Sequence, residues 1–192
     1  MFKEIAEKMS EAGVIPVVTV ETMEKTLETA ADAVAKGLKA IEITYRTTEG
    51  DAGYEKISQA IVAVKEKYPE LMVGAGTVLN EKLAEMAKKA GAEFVVSPGF
   101  NPKTVQWCIE NNMPVFPGVA TPSDIEVALS YGLAYLKFFP AEAMGGTKML
   151  KALSGPFPMV KFMPTGGINK ENYGSYKELK NVFCVGGSWV LK

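Results

Sequence analysis

The sequence predicts an α/β fold: a (β/α)8 TIM barrel in one domain spanning residues 1–192. Three observations predict it. Short apolar runs rich in Val, Ile and Phe alternate with helical-period segments from end to end, and repeated β-then-α units require right-handed parallel crossovers. The runs number eight, which points to a closed barrel more than to an open doubly wound sheet. The 192 residues also carry no linker, low-complexity stretch or shift in composition, so one core is expected and no second domain.

Taken in order, residues 1–13 (MFKEIAEKMSEAG) form a charged amphipathic helix additional to the eight units. This segment lacks the apolar centre of a secretory signal. The strands follow as VIPVVTV (14–20), LKAIEIT (38–44), LMVGAGT (71–77), EFVVS (93–97), PVFPGV (114–119), AYLKFF (134–139), VKFMPT (160–165) and VFCVGG (182–187). Helices fill the intervals, and two have clear start signals. Asn101-Pro102 and Thr121-Pro122 each pair an N-cap residue with proline at the first helical position. The second then places Ile125, Ala128 and Leu129 at helical spacing, with Gly132 where the helix should stop. Because Lys192 follows soon after the eighth run, the eighth outer helix is expected to be short or absent.

Composition narrows the chemistry. Apolar residues make up 47% and charged residues 22%, the balance of a globular chain, and no apolar run approaches the ~20 residues of a membrane span. The formal net charge of −1 supplies no basic field for nucleic acid or an anionic membrane. Histidine is absent, so proton transfer must use Glu, Asp, Lys, Tyr or water, and histidine-based zinc sites are excluded. Cys108 and Cys184 match no metal or redox spacing. The expectation is a reduced, cytoplasmic protein that uses neither metal nor organic cofactor and acts on a small molecule.

Barrel chemistry sits at the C-terminal ends of the strands. Period-two alternation in the second strand puts Ala40, Glu42, Thr44 and Arg46 on one face and Ile41, Ile43 and Tyr45 on the other. The apolar set should pack outward, which aims Glu42 and Arg46, the sole arginine, at the barrel axis. The pair could serve catalysis or a structural ion pair between strands. In the sixth strand, Lys137 interrupts an apolar run where lysines are seldom tolerated. Desolvation there favours the neutral amine that attacks carbonyls, while a snorkelling strand-end lysine is the alternative. Glycine turns end the seventh and eighth strands, at Thr165-Gly166-Gly167 and Gly186-Gly187-Ser188, where barrels often bind phosphate through backbone N–H groups. Gly74-Ala75-Gly76-Thr77 adds a hydroxyl at the same end, without the spacing of a dinucleotide fingerprint.

With these residues in place, the sequence resembles the 2-keto-3-deoxy-6-phosphogluconate (KDPG) and 4-hydroxy-2-oxoglutarate (KHG) aldolases. The carriers are IEITYRT (41–47), VGAGTVL (73–79), VSPGF (96–100), PGVATPS (117–123), LKFFPAE (136–142), LSGPFP (153–158), PTGGI (164–168) and CVGGSW (184–189), in that order. The resemblance implies a Schiff-base aldolase in which Lys137 binds pyruvate covalently and Glu42 is the general acid/base. It also implies that Arg46 and Thr77, beside the backbone at Gly76 and Pro98, hold the pyruvate carboxylate. Thr165 would lie near the keto acid, Phe139 would line the pocket, and Gly166, Gly167, Gly187 and Ser188 would bind phosphate. A homotrimer is implied as well. The Thr47–Gly53 segment is longer and more acidic than the usual turn of this family. An aldolase for an unphosphorylated 2-keto-3-deoxy sugar acid, or a silent sugar-phosphate-binding barrel, are the alternatives.

Overall fold

The computed structural model describes residues 2–191. Helix α1 (Phe2–Ala12) precedes β1 (Val14–Thr19), and then come α2 (Met23–Ala35), β2 (Ala40–Thr44), α3 (Gly50–Lys67), β3 (Met72–Gly76), α4 (Glu81–Lys89), β4 (Phe94–Val96) and α5 (Pro102–Glu110). The second half continues with β5 (Val115–Phe116), β6 (Gly118–Val119), α6 (Pro122–Ser130), β7 (Tyr135–Phe138), α7 (Gly146–Leu153), β8 (Lys161–Pro164), α8 (Tyr173–Lys177) and β9 (Val185–Gly187). The fold is α/β, and its strand pairings are parallel.

The strands form a six-stranded sheet in the order β5-β4-β3-β2-β1-β9 and a three-stranded sheet in the order β6-β7-β8. Where the sequence predicts one fifth strand over 114–119, the structure has two short strands on either side of Pro117. Proline has no N–H to give to a ladder, which explains the break. The Pro117 carbonyl still accepts from Lys137 N at 2.9 Å, so the run keeps contact with both sheets. At the other seam, isolated parallel bridges join Phe162 to Val182 and Thr165 to Gly186, between the β8 and β9 runs.

Helix starts follow local chemistry. The Thr22, Asn80 and Asn101 side chains accept from backbone N–H groups at the starts of α2, α4 and α5. Thr121 and Asp124 form a reciprocal capping box on α6. The proline signals at 102 and 122 both mark helix starts, as predicted. Gly132, at φ +74°, follows the end of α6 in the left-handed conformation that glycine adopts freely.

Alternation along the strands divides the interior into two cores. Ile41, Ile43, Val73, Ala75 and Val95 pack with helix residues such as Ala30, Ile57, Ile61, Leu83 and Ala84. The opposite strand faces contribute Ile15, Ala40, Met72, Phe94, Val96, Phe116 and Met163 to a second cluster with Phe183 and Cys184. Into that cluster α1 inserts Ile5, Ala6 and Met9. Ala40, Met72 and Phe94 are the first residues of their strands, so α1 seals the N-terminal end of the sheet interior. The chemistry-bearing residues lie toward the other end.

Candidate active site

Glu42 is the middle residue of β2, paired in register with Val17 of β1 and Gly74 of β3. Lys137 is the third residue of β7, between Gly118 of β6 and Met163 of β8. Both side chains enter the interior: Glu42 is 1% exposed and Lys137 5%. The lysine Nζ lies 3.9 Å from Glu42 Oε1 and 5.0 Å from the centroid of the Phe139 ring. Neither carboxylate oxygen of Glu42 has a hydrogen-bond partner among the described residues. A buried carboxylate in that state is costly, and Lys137 is its nearby counter-charge.

The glycines of β3 make room for this pair. A Cβ on Gly74 would collide with the Phe94 ring, and one on Gly76 would collide with the Glu42 carboxyl. Gly74 and Gly76 lie inside β3, within the 71–77 run, and Thr77 follows the strand. Thr77 has φ +56°, a conformation that costs a β-branched residue on the order of 1–3 kcal/mol. It is half-buried beside the strand end, as is Pro98 after β4. The Pro98 carbonyl occupies the space a Cβ on Gly118 would take.

Arg46 departs from the inward placement that alternation predicts. Strand β2 ends at Thr44, and the Arg46 N–H donates back to the Thr44 carbonyl at 2.8 Å. Once the backbone turns, period two no longer applies. Tyr45 stays in the helix-facing core and Arg46 is exposed at the C-terminal end of β2. Thr44 instead spends its hydroxyl on the Val18 carbonyl at 3.0 Å.

Thr165 is buried directly after β8, with no partner for its hydroxyl among the described residues. A Cβ on Gly186 would overlap that hydroxyl, so the glycine lets Thr165 approach the β9 backbone. Gly186 and Gly187 belong to β9 itself, within the 182–187 run, and the turn begins only at Ser188. Ser188 is exposed just beyond. Gly166 and Gly167 do form a turn, at φ +101° and +79°. The structure thus joins Glu42, Lys137, Phe139 and Gly76 directly, and sets Arg46, Thr77, Pro98, Thr165, Gly166, Gly167, Gly187 and Ser188 at or just past C-terminal strand ends.

Two neighbours escaped the sequence reading, although both lie within quoted motifs. Cys184 is buried near Glu42; burial and the Glu42 charge push its thiol well above the ordinary range, so it is no nucleophile there. Glu142 accepts a hydrogen bond from Tyr176, 34 positions away, a contact no local pattern signals. Cys108, on α5, is likewise buried, with its thiol pushed up to about 12. Among the described residues no cluster of three or more His, Cys, Asp or Glu is placed to hold a metal ion, and no helix is long and apolar enough to cross a membrane.

Comparison with known proteins follows the same lines. The family profile for KDPG and KHG aldolase matches residues 5–192. The 2-dehydro-3-deoxy-phosphogluconate aldolase of Treponema pallidum is 41% identical over 187 residues, covering 97% of this chain and 86% of the relative. The KHG/KDPG aldolase of Escherichia coli K12 is 43% identical over 192 residues, covering 99% and 86%. Among solved structures, the KDPG aldolase of Legionella pneumophila, with pyruvate captured as a covalent carbinolamine intermediate, superposes with a TM-score of 0.89 at 39% identity, covering 96% of this chain and 86% of that one. The Zymomonas mobilis enzyme with 3-phosphoglycerate gives 0.91 at 39% identity, covering 99% and 87%.

Proposed function

Since the chain belongs to the KDPG and KHG aldolase family, we propose that it reversibly cleaves 2-keto-3-deoxy-6-phosphogluconate to pyruvate and glyceraldehyde 3-phosphate. It is a class I pyruvate aldolase, and 4-hydroxy-2-oxoglutarate, cleaved to pyruvate and glyoxylate, is its second substrate, in keeping with the relatives named for both activities. The observation that carries this reading is the buried Lys137–Glu42 pair, in which the carboxylate oxygens are unspent on other protein groups.

The reaction runs through the lysine amine. Nζ passes a proton to Glu42 and attacks the C2 carbonyl to give a carbinolamine; Glu42 returns that proton to the departing hydroxyl, which leaves as water and gives a protonated imine. Glu42, close enough for proton transfer through one water, takes the C4 hydroxyl proton. The C3–C4 bond then breaks, its electrons pass to the imine nitrogen, and the aldehyde departs. Glu42 returns a proton to C3 of the enamine, and hydrolysis releases pyruvate and the free amine. Arg46, with Thr77 and the backbone at Gly76 and Pro98, holds the substrate carboxylate and so orients the carbonyl toward Nζ. Phe139 walls the pocket and Thr165 offers its hydroxyl to the keto acid. Gly166, Gly167, Gly187 and Ser188 receive the phosphate through N–H and hydroxyl donors.

The same reading takes the two sheets as one single-domain (β/α)8 barrel, with β5 and β6 as one strand interrupted at Pro117 and the β8–β9 bridges as the closing seam. A cytoplasmic homotrimer fits two free, buried cysteines and the family resemblance. Borohydride reduction in the presence of pyruvate tests the chemistry. One reduced pyruvate should map to the peptide containing Lys137, and Lys137→Met should abolish both label and turnover. An unlabelled protein, or a fully active Lys137→Met variant, would sink the proposal.

A further inference from the structure

Three segments converge on the glycine turn after β8. Ala141 N donates to the Thr165 carbonyl at 2.8 Å and Glu142 N to the Gly166 carbonyl at 3.1 Å. Asn172 Nδ2, at the start of α8, donates to the Gly167 carbonyl at 3.2 Å. With three successive carbonyls engaged, and Gly166 bridged to β9 through the Thr165–Gly186 pairing, the N–H groups of Gly167 and Ile168 donate to no protein acceptor among the described residues. Such a turn is an anion-binding concavity.

The Glu142 side chain is wedged into the same place. Its Cβ and Cγ lie 2.7 Å from where a Cβ on Gly167 would be, and its Oε1 lies 3.2 Å from the corresponding point on Gly146. Both glycines have positive φ, 79° and 56°, so two constraints exclude a side chain at each. The Tyr176 hydroxyl fills the remaining space beside Gly146, at 2.9 Å, and donates to Glu142 Oε1. Tyr176 is fully buried, and its hydroxyl has no other partner among the described residues. Burial and the adjacent carboxylate hold the phenol well above its ordinary range, so it remains a donor at working pH.

We propose that the Tyr176–Glu142 hydrogen bond is a positioning device for the phosphate end of the site, giving the enzyme its preference for a phosphorylated over an unphosphorylated keto acid. The inference rests on the aldolase reading above. Tyr176 fixes the carboxylate, and Glu142 fixes the turn through its own N–H and its packing against Gly167. Without the phenol, the carboxylate becomes a mobile negative charge beside an anion site and the turn loses its wedge. Both residues act through the turn, so the loss falls on phosphate affinity and spares the bond-breaking step at Lys137.

The test is steady-state cleavage of KDPG and of 4-hydroxy-2-oxoglutarate, which has no phosphate, by the unsubstituted protein and by Tyr176→Phe and Glu142→Gln. Tyr176→Phe should raise KM for KDPG about tenfold with kcat held, the effect of one lost hydrogen bond to a charged group. Both constants for 4-hydroxy-2-oxoglutarate should stay unchanged. Glu142→Gln keeps the length, the packing and an acceptor for the phenol, so it should retain a near-native KM. Should Tyr176→Phe fail to fold, Glu142→Ala on the exposed turn must show the same split. Equal effects on the two substrates, no effect on either, or an unsubstituted protein without preference for KDPG would overturn the inference. Absence of the pyruvate adduct at Lys137 in the unsubstituted protein would overturn the aldolase reading along with it; an adduct-forming, active protein that ignores Tyr176→Phe overturns the clamp alone.

Discussion

Replacing Lys137 with methionine should destabilise the protein as well as silence it, and the size of the effect follows from the site. Glu42 is buried, neither of its oxygens is hydrogen-bonded among the described residues, and the Lys137 Nζ stands 3.9 Å away. With both groups ionised and an effective dielectric near 20, that attraction is about 4 kcal/mol. Removing one member of such a pair strands the other charge in the interior, at a typical cost of about 3–5 kcal/mol. Lys137→Met should therefore lose on the order of 3–5 kcal/mol of unfolding free energy at neutral pH. Glu42→Met combined with Lys137→Met removes both charges while keeping volume, and should recover most of the loss. Urea denaturation of the three proteins measures this directly. A Lys137→Met protein as stable as the unsubstituted one, or a double variant no better than the single, would refute the reasoning.

Further outcomes are expected. Gly76→Ala puts a Cβ where the Glu42 carboxyl lies, so the carboxyl must move; kcat should fall on the order of 100-fold, the cost of misplacing a catalytic group by about 1 Å. Borohydride should still trap pyruvate on Lys137 in that variant, and unaltered turnover would contradict the packing argument. At the α6 capping box, Thr121→Ala should cost about 1 kcal/mol in thermal or urea unfolding. Burial alone would raise the Asp124 carboxyl, but hydrogen bonds from Ala120 N and from the Thr121 side chain and backbone outweigh it and hold the group below its usual range. A depressed carboxyl stabilises above its unfolded value of about 3.9 and loses that contribution as pH falls through the lower folded value. The Tm gap between the unsubstituted protein and Asp124→Ala should accordingly close toward acid pH, and a gap independent of pH would count against the box.

Much of this architecture was legible in the sequence because the signals are local. Strands β1 to β4 fall inside the apolar runs, and α5 and α6 start at their Asn-Pro and Thr-Pro signals. Glu42 and Lys137 stood out because ionisable groups are rare in apolar strands, and the structure buries both. Local reading failed where the backbone leaves its regular path. Arg46 lost its inward face when β2 ended two residues earlier, and Pro117 split a strand that composition alone would leave whole. Long-range partnerships were out of reach altogether. The amphipathic pattern of α1 shows that it buries a face but not which surface receives it, and Tyr176 meets Glu142 only after β8 and α8 have folded back.

The plug formed by α1 bears on the order of events in turnover. Ile5, Ala6 and Met9 stopper the interior at the N-terminal strand ends, while Lys137 reaches its pocket from the opposite side. On the proposed reading, substrate and products then come and go at the C-terminal strand ends. On the chemistry proposed for Lys137, pyruvate stays tethered after the carbon–carbon bond breaks, so the aldehyde leaves first. That tethering predicts an ordered release, aldehyde before pyruvate, and in the synthetic direction pyruvate entering first.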